Sequence, residues 1–356
     1  MPRVSANNRE HPLSPLHDPI VSPHRLISVT PRLDRRSLVR EERALWRIEA
    51  PRIIHAVEHI RRMSGGSQSH LMRCSDGAYY VVKFQGNPQG SRILCNEMLA
   101  TQIASCIGLP VPQYALVNVC PELIEGTDDL VVQLGRGRTP CSPGLSFGSR
   151  YLGALGRQTT MAESAVWDFL PDFLLHRIEN AGSFAGMLAF DQWTCNSDGR
   201  QTAFLRRRKG RSFKAYMIDN GFCFGGADWT FRDSPLRGRY CRPAVYDLIC
   251  GLDSVEIWVN RIENGLNLFG LEIMAGFIPP EWYEKDRKAL IDLVRQIDQR
   301  RFLLRELLMS VRSHLPHLFR VSSLSPEGVR RAPRLMAEVS HESKKRFSVL
   351  PAIPNP

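Results

Sequence analysis

A lysine inside a strongly apolar run constrains the fold of this chain more than any other feature. Residues 79–84 read Tyr-Tyr-Val-Val-Lys-Phe, a composition typical of a β-strand. Lysine is rarely buried in such a run unless a partner group pairs with it. Lys83 is therefore either a solvent-facing residue of an edge strand or a buried point charge that serves a ligand such as a phosphate.

The elements before Lys83 follow a definite order. A strand over residues 55–63 is followed by the small-residue loop 64–68, which reads Ser-Gly-Gly-Ser-Gln. A second strand covers residues 69–74, and the Asp-Gly pair in 75–77 predicts a hairpin turn. The lysine strand is thus the third strand of a small sheet.

One helix and one further strand follow the lysine strand. Residues 92–107 have apolar positions at helical spacing, and Gly108 with the nearby Pro110 predicts the end of this helix. Residues 111–119 predict the next strand. The N-terminal part is therefore expected to be β-rich with a single helix.

The second half of the chain is predicted to be mainly helical. Residues 184–193 are apolar nearly all round, which favours a buried helix. The remaining expectations are helical segments at 163–169 and 173–180, two short strands at 203–207 and 213–218, and a long amphipathic helix from Glu284 to His314. Residues 120–160 are rich in Gly and Pro and give no assignment.

These elements predict an α+β chain of two lobes. We expect an N-lobe at 51–120 and a C-lobe at 121–315. They are flanked by basic Pro/Ser-rich tails at 1–50 and 316–356 that we expect to be disordered, apart from a short helix at 40–48.

Composition narrows the class of protein. The net charge of +11 comes partly from a basic run at 206–214 and from the C-terminal tail, which indicate either solvated surfaces or a docking surface for an acidic partner, and give no direct indication of nucleic-acid binding. The nine cysteines form no CxxC motif, and Cys95, Cys106 and Cys250 lie in apolar runs, as expected of buried thiols in a reducing cytoplasm. No stretch approaches the ~20 apolar residues of a membrane helix, so we expect no membrane insertion.

Several polar residues could carry chemistry together. The loop 64–68 lets backbone N–H groups approach phosphate oxygens, although such a loop alone is also an ordinary turn and is not a Walker A loop. Glu97 on the predicted helix can pair with Lys83. Asp198 lies in a polar loop after the buried helix, and Asp219 follows a strand and precedes Asn220-Gly221.

Each of these residues alone has an ordinary structural explanation. Glu97 could be a solvated helix residue, and both aspartates could belong to turns. Their order along the chain, however, supplies every part that phosphoryl transfer needs, namely a phosphate cover, a cation, a metal carboxylate and a group that orients the acceptor.

The same residues resemble the HipA-like kinases, a branch of the protein-kinase-like fold, from about residue 55 to 314. Residues 65–70 resemble the Gly-x-Gln-x-Lys phosphate loop of that family, and Val82-Lys83 with Asn96-Glu97 resembles its nucleotide-binding strand and helix. Residues 196–203 resemble its Asn-x-Asp-x-His-x-x-Asn loop, and residues 218–222 resemble the Ile-Asp-x-Gly-Phe form of phosphoinositide kinases.

The resemblance implies ATP and Mg²⁺ as cosubstrates. It implies nucleotide contacts from Gly65, Gly66, Ser67, Gln68, Lys83 and Glu97, a metal ligand in Asp219, and a catalytic loop that contains Asp198, Asn196 and Gln201. The chain departs from the family at three positions. His70 stands where Lys is usual, Arg200 replaces the loop His, and Ala203 replaces the metal-binding Asn, for which Gln201 or Asn196 could substitute unless one metal suffices.

Three functions remain open from the sequence. The first is an ATP-dependent kinase that acts on a protein Ser or Thr. The second is a kinase for a small molecule or a lipid head-group, with the basic run facing an acidic substrate. The third is a nucleotide-binding pseudokinase that works as an interaction module, which Ala203 favours.

Overall fold

The computed structural model describes residues 48–153, 166–206, 211–249 and 251–319. The expected tails, the helix at 40–48, the centre of the basic run and Cys250 lie wholly or almost wholly outside these residues. Pro316–Phe319 form a 3-10 turn in which Leu318 and Phe319 are buried, so the folded chain continues beyond residue 315. The division at residues 50, 120 and 315 stays a prediction.

Five strands of the N-terminal part close into a barrel. The strands are β1 (Ile53–Arg62), β2 (His70–Cys74), β3 (Tyr79–Lys83), β4 (Tyr114–Val119) and β7 (Gly144–Arg150), in the order β1-β2-β3-β7-β4. All neighbours are antiparallel except β1 and β4, which are parallel. The predicted order of loop, turn and strands around Lys83 is present, including the Asp-Gly turn at Gly77.

Strand β7 extends this barrel beyond residue 120. It pairs Lys83 with Phe147 and Leu116 with Phe147 from opposite sides. Before it come a short helix α2 (Pro121–Glu125) and a hairpin of β5 (Val131–Leu134) and β6 (Gly137–Pro140). Residues 120–160, which are rich in Gly and Pro and gave no prediction, therefore supply a strand of the barrel that pairs with both β3 and β4.

Helix α1 (Arg92–Cys106) is the predicted helix, and it is buried along almost its whole length. Gly108 follows in the left-handed conformation at φ 84°, as its place at the helix end requires. The apolar residues of α1 belong to the large core of the C-terminal helices, whereas the barrel has a smaller core of its own. The helix that carries Glu97 is thereby fixed to the second half of the molecule.

The C-terminal part is mostly helical, as predicted, around a small sheet. The buried helix α4 (Ser183–Trp193) is confirmed, and the strands β9 (Gln201–Arg206) and β10 (Phe213–Ile218) pair antiparallel. The other elements are β8 (Val166–Trp167), α3 (Asp172–Leu175), α5 (Gly251–Gly265), α6 (Leu268–Gly276), α7 (Arg287–Arg300) and α8 (Leu304–Val311). The α+β class is confirmed.

Of two helical predictions in this part, one is wrong and the other is confirmed only for its first residues. Val166 and Trp167, expected in a helix over 163–169, form β8, which pairs antiparallel with β9, and Trp167 packs edge-on against Phe213 of β10. Residues 163–165 lie outside the described part. In the segment 173–180, helix α3 ends at Leu175.

The long helix expected from Glu284 to His314 is divided. Glu284 and Lys285 have positive φ, so the helix begins only after Asp286, whose side chain caps it by accepting from the Ala289 N–H at 2.9 Å. A 3-10 turn over Arg301–Leu303 then separates α7 from α8. In this turn, Arg301 donates to the Glu263 carbonyl at the end of α5, so a tertiary contact accompanies the break.

No helix in the described residues is long and apolar enough to span a membrane. Cys95 and Cys106 are buried, as expected.

Candidate active site

A cavity of about 560 Å³ lies between the barrel and the C-terminal part. Its polar wall contains the loop after β1, Lys83, Glu97, Asp198 and Asp219, and its apolar wall contains Val81, Phe147 and Met217. Residues predicted from five separate stretches of sequence are thus brought to one place.

Lys83 is the centre of this site. It is only 7% exposed, and its Nζ donates to Glu97 Oε1 and to Asp219 Oδ1, the latter at 2.8 Å. Burial alone would lower the pKa of Lys83, but the charges of Glu97 and Asp219 outweigh burial and raise it. Lys83 is therefore a fixed cation. The edge-strand alternative is excluded for this residue.

The two carboxylates respond differently to the same lysine. Burial raises the pKa of Glu97 despite the nearby charge of Lys83. Burial would also raise the pKa of Asp219, but the charge and hydrogen bond of Lys83 outweigh it and hold that pKa below its ordinary value. Asp219 is the more exposed of the two, so it is the ionised carboxylate that a cation in the cavity can reach.

Glu97 also shapes the backbone after Asp219. Its carboxylate accepts the N–H groups of Asn220 at 3.1 Å and Gly221 at 3.0 Å. A Cβ on Gly221 would lie 2.6 Å from Ile93 Cγ2 and 3.2 Å from Glu97 Oε1. Glycine is required here because helix α1 passes too close for a side chain.

Asn96 secures the same loop from the neighbouring position of α1. Its amide donates to the carbonyls of Gly221, Cys223 and Gly226 at 2.8–3.1 Å, and its Oδ1 accepts from Trp229 Nε1 at 2.7 Å. The sequence placed Asn96 only in a motif. A second polar side chain beside Glu97, in the mainly apolar first half of α1, was the signal for this role.

The predicted phosphate loop lies against the cavity with one exception. Gly65, Gly66 and Ser67 line the cavity, and Gly65 has φ 123°, which a residue with a side chain rarely adopts. Gln68 instead turns to the β5 strand, where its side chain accepts the Gln133 N–H at 2.6 Å and donates to the Gln133 carbonyl at 2.8 Å. Gln68 anchors the loop and does not line the cavity.

His70, at the family's lysine position, points into the barrel. It is fully buried, with Nδ1 at 3.1 Å from His59 Nε2 and Nε2 at 3.7 Å from Cys141 Sγ. Burial, helped by His59, lowers the pKa of His70 to about 4. This side chain is neutral near pH 7 and replaces no phosphate-binding lysine.

The predicted catalytic loop divides into exposed and buried members. Asp198 and Gln201 are exposed and line the cavity. Asn196 is only 1% exposed, donates to Asp191 Oδ1 at 3.0 Å and accepts the Asp198 N–H at 3.2 Å. Asn196 thus holds the loop in shape beneath Asp198.

Arg200 makes a buried network that the sequence did not predict. Its Nε donates to Asp191 Oδ2 at 2.8 Å, and its Nη2 donates to Asp191 Oδ1. Its Nη1 donates to the Ile218 carbonyl at 2.8 Å and to Asn220 Oδ1 at 2.9 Å. The buried Asp191 at the end of an apolar helix was the available signal.

The donor set suits one magnesium ion better than two. Asp219 and Asp198 present carboxylates to the cavity, whereas Ala203, also in its wall, has no side-chain oxygen. No group of three or more His, Cys, Asp or Glu in the described residues could hold a metal alone. Mg²⁺ is usually held by one or two carboxylates together with phosphate oxygens and water, and Asp219 with a nucleotide fits that requirement.

The chain matches several solved structures at low sequence identity. The Helicobacter pylori proinflammatory kinase CtkA is 14% identical over 73% of this chain and 98% of that chain, with a TM-score of 0.45. The Golgi casein kinase with Mn/ADP bound is 8% identical over 81% of each chain (TM-score 0.40). HipA of Shewanella oneidensis MR-1, from its complex with HipB and operator DNA, is 10% identical over 71% of this chain and 67% of that chain (TM-score 0.42).

A family comparison covers the part of the site that precedes Asp219. Residues 56–206 match the family model of the HipA-like kinases, a segment that includes the phosphate loop, Lys83, Glu97 and Asp198. Curated protein sequences give no match. The resemblance that the motifs predicted is confirmed: residues 56–206 of this chain carry the sequence pattern of the HipA-like kinase family.

Proposed function

We propose that the chain is an ATP-dependent kinase that transfers the γ-phosphate of Mg-ATP to an acceptor hydroxyl. The observation that carries the proposal is the contact of Lys83 with both Glu97 and Asp219 in the cavity that Gly65 and Gly66 border. A phosphate cover, a cation and a metal carboxylate are the parts that phosphoryl transfer requires.

The nucleotide would occupy the cavity in two parts. Its base fits the apolar wall of Val81, Phe147 and Met217. Its phosphates fit under the backbone N–H groups of the loop 64–67. The cavity volume of about 560 Å³ lies within the range of small-molecule sites.

Lys83 would bind the α- and β-phosphates. An ammonium group has three donors, and Lys83 uses two of them on Glu97 and Asp219. The third donor remains for a phosphate oxygen, and Glu97 keeps the ammonium in place through the family's strand-to-helix pairing.

Asp219 would hold Mg²⁺, which neutralises phosphate charge when bound. Ala203 removes one oxygen that the family supplies, and Asn196 uses both ends of its amide in hydrogen bonds. Of the two amides in the predicted catalytic loop, Gln201 is therefore the one that remains at the cavity wall to contact a phosphate or the metal's water. Ala203→Asn tests this arrangement, and we expect it to tighten Mg²⁺-dependent nucleotide binding.

Asp198 would orient the acceptor. The acceptor oxygen forms a bond to the γ-phosphorus as the bond to the β–γ bridging oxygen breaks, ADP leaves, and the acceptor proton passes to the Asp198 carboxylate. The exposure of Asp198 at the cavity wall allows an outside hydroxyl to reach it. Asn196 fixes the Asp198 backbone from below.

We propose a Ser or Thr hydroxyl of a protein as the acceptor, and label transfer from [γ-³²P]ATP tests it. The purified chain is incubated with Mg²⁺ and a cell lysate, and in parallel without any acceptor. Label on a protein supports the proposal, and label only on a small molecule or lipid contradicts the acceptor class. The absence of any label despite intact ATP binding supports the second candidate, a pseudokinase, which Ala203 favours.

A further inference from the structure

We propose that Arg200 is a positioning residue that locks the two catalytic aspartates into one unit, in place of the histidine that the family has there. The inference deepens the proposed function and rests on it for the roles of Asp198 and Asp219. Its structural basis is the position of a single guanidinium between the loops that carry them.

The first link runs from Arg200 to Asp198. Arg200 binds both carboxylate oxygens of Asp191, which is fully buried. Asp191 accepts from Asn196, and Asn196 in turn accepts the Asp198 N–H. The position of Asp198 therefore depends on the Asp191 carboxylate that Arg200 neutralises.

The second link runs from Arg200 to both neighbours of Asp219. The Nη1 of Arg200 donates to the Ile218 carbonyl and to Asn220 Oδ1. Asn220 Nδ2 in turn donates to Thr101 Oγ1 at 3.0 Å. Asp219 itself has φ 57°, a left-handed conformation that an aspartate adopts only at a cost in energy. Such a conformation persists when its surroundings fix it from several sides.

The chemistry of arginine explains why this residue suits the position. A guanidinium carries five donors in a planar fork, whereas a neutral histidine has one donor and one acceptor. Arg200 uses four of its donors on three acceptor groups from two elements. A histidine could not make these contacts at once, and a lysine lacks the planar geometry.

Another buried arginine provides a matched control. Arg300 is 7% exposed, binds both oxygens of Asp233 at 2.6 and 3.1 Å and donates to the carbonyls of Gln192 and Trp193. Arg300 thus contacts the C-terminal end of α4, which precedes the same loop, and it makes four hydrogen bonds, as Arg200 does. None of its hydrogen bonds reaches the residues beside Asp219.

Hydrogen exchange of the ligand-free protein tests the positioning directly. In Arg200→Lys and Arg200→His we expect the amides of residues 219–221 and Asp198 to exchange at least about tenfold faster, because hydrogen bonds from a charged donor are lost. In Arg300→Lys the amides of residues 219–221 should keep their wild-type rates, because no hydrogen bond of Arg300 reaches the residues beside Asp219. Unchanged rates in Arg200→Lys, or equal acceleration in Arg300→Lys, would overturn the proposal.

A second measurement connects positioning to the metal. ADP affinity is measured with Mg²⁺ and with EDTA. Arg200→Lys should lose most of the Mg²⁺-dependent gain and keep its EDTA affinity, while Arg300→Lys keeps both. A full Mg²⁺-dependent gain in Arg200→Lys would contradict the proposal.

If Arg200→Lys does not fold, Asn220→Ala removes one of the same contacts with a smaller change. We then expect faster exchange at 219–221 only, and unchanged exchange there contradicts the proposal. A wild type that binds no nucleotide would contradict the proposed function and not the positioning, which the exchange rates judge on their own.

Discussion

Lys83 and Arg200 are two buried cations on the wall of one cavity, and the protein uses them differently. Lys83 pairs with Glu97 and Asp219 and keeps one donor uncommitted. Arg200 donates four hydrogen bonds to protein acceptors, and two of these go to the buried Asp191. We assign Lys83, which contacts the candidate metal ligand Asp219, to ligand binding, and Arg200, which directs four of its five donors to protein acceptors, to the framework.

The largest expected effect separates the two aspartates that these cations serve. Asp198→Asn should keep Mg-ATP affinity near wild type and lose phosphoryl transfer by about 10²–10⁴-fold, because its contact is made with the acceptor in the transition state. Asp219→Asn should lose metal-dependent affinity and transfer together. Titration calorimetry of Mg-ATP beside transfer rates measures both.

The contrary outcomes of that experiment are distinct. An equal loss of affinity in both variants would mean that the roles are assigned wrongly. Unchanged transfer in Asp198→Asn would remove this residue from the catalytic set.

The second prediction compares how much folding stability is lost when each of the two cations is replaced by methionine. Arg200→Met leaves the Asp191 carboxylate buried and unpaired, which should lower the free energy of unfolding by about 3–5 kcal/mol. Lys83→Met should lower it by only about 1–3 kcal/mol, since Glu97 keeps the N–H groups of Asn220 and Gly221. Urea denaturation measures both.

Nucleotide affinity should rank substitutions at the two cations in the opposite order, with the larger loss at Lys83. At pH 7, Lys83→Met should weaken ATP binding in EDTA, where no metal assists, while Arg200→Lys should not. If Lys83→Met is strongly destabilised and binds ATP normally, Lys83 is a framework residue and the comparison fails.

A third prediction concerns the contact between α1 and the backbone that follows Asp219. Gly221→Ala should lower stability by about 1–3 kcal/mol, because its Cβ overlaps Ile93 and crowds Glu97. Gly265→Ala is a suitable control, since its Cβ would meet nothing within 4 Å. Thermal unfolding of both variants gives the answer, and equal stability would show that α1 can move away.

The smallest effect lies in the barrel, away from both cations. The pKa of His70 is about 4 in the folded protein, and an unfolded histidine titrates near 6.5. The contribution of neutral His70 to stability is therefore fully present above pH ~6.5. It is lost as the pH falls from there through 4, because the unfolded chain binds the proton at a higher pH than the folded chain.

The size of this decline can be compared between variants. Between pH 7 and pH 5 we expect a loss of about 1 kcal/mol after allowance for solvent screening. His70→Gln should reduce the loss. An identical pH dependence in His70→Gln and wild type would contradict the buried neutral state.

Local sequence was sufficient to predict much of the fold. The β-prone run at 79–84, the Asp-Gly turn, the apolar α4 and the end of the helix at Gly108 are each determined by nearby residues. Strand β7 could not be predicted, because its partners β3 and β4 lie far away along the chain. The division of the C-terminal helix likewise depends on a contact of Arg301 with α5.

The candidate site shows the same limit. Lys83, Glu97, Asp198 and Asp219 stood out because each is a charge in an unusual local context. Arg200 appeared only as a departure from a motif, and Gln68 appeared as a nucleotide contact. Their roles are set by Asp191, Asn220 and Gln133, which only the folded chain brings to them.

Nucleotide-linked stability tests the central claim, that the cavity around Lys83 and Asp219 binds Mg-ATP, most directly. Thermal unfolding is followed as ATP or a non-hydrolysable analogue is added with Mg²⁺, in wild type and in Asp219→Asn. At ~100 times the dissociation constant, the wild type should gain about 2.7 kcal/mol of stability, and Asp219→Asn should lose the part that Mg²⁺ contributes. A wild type that gains no stability from ATP, ADP or the analogue, with or without Mg²⁺, would contradict the account.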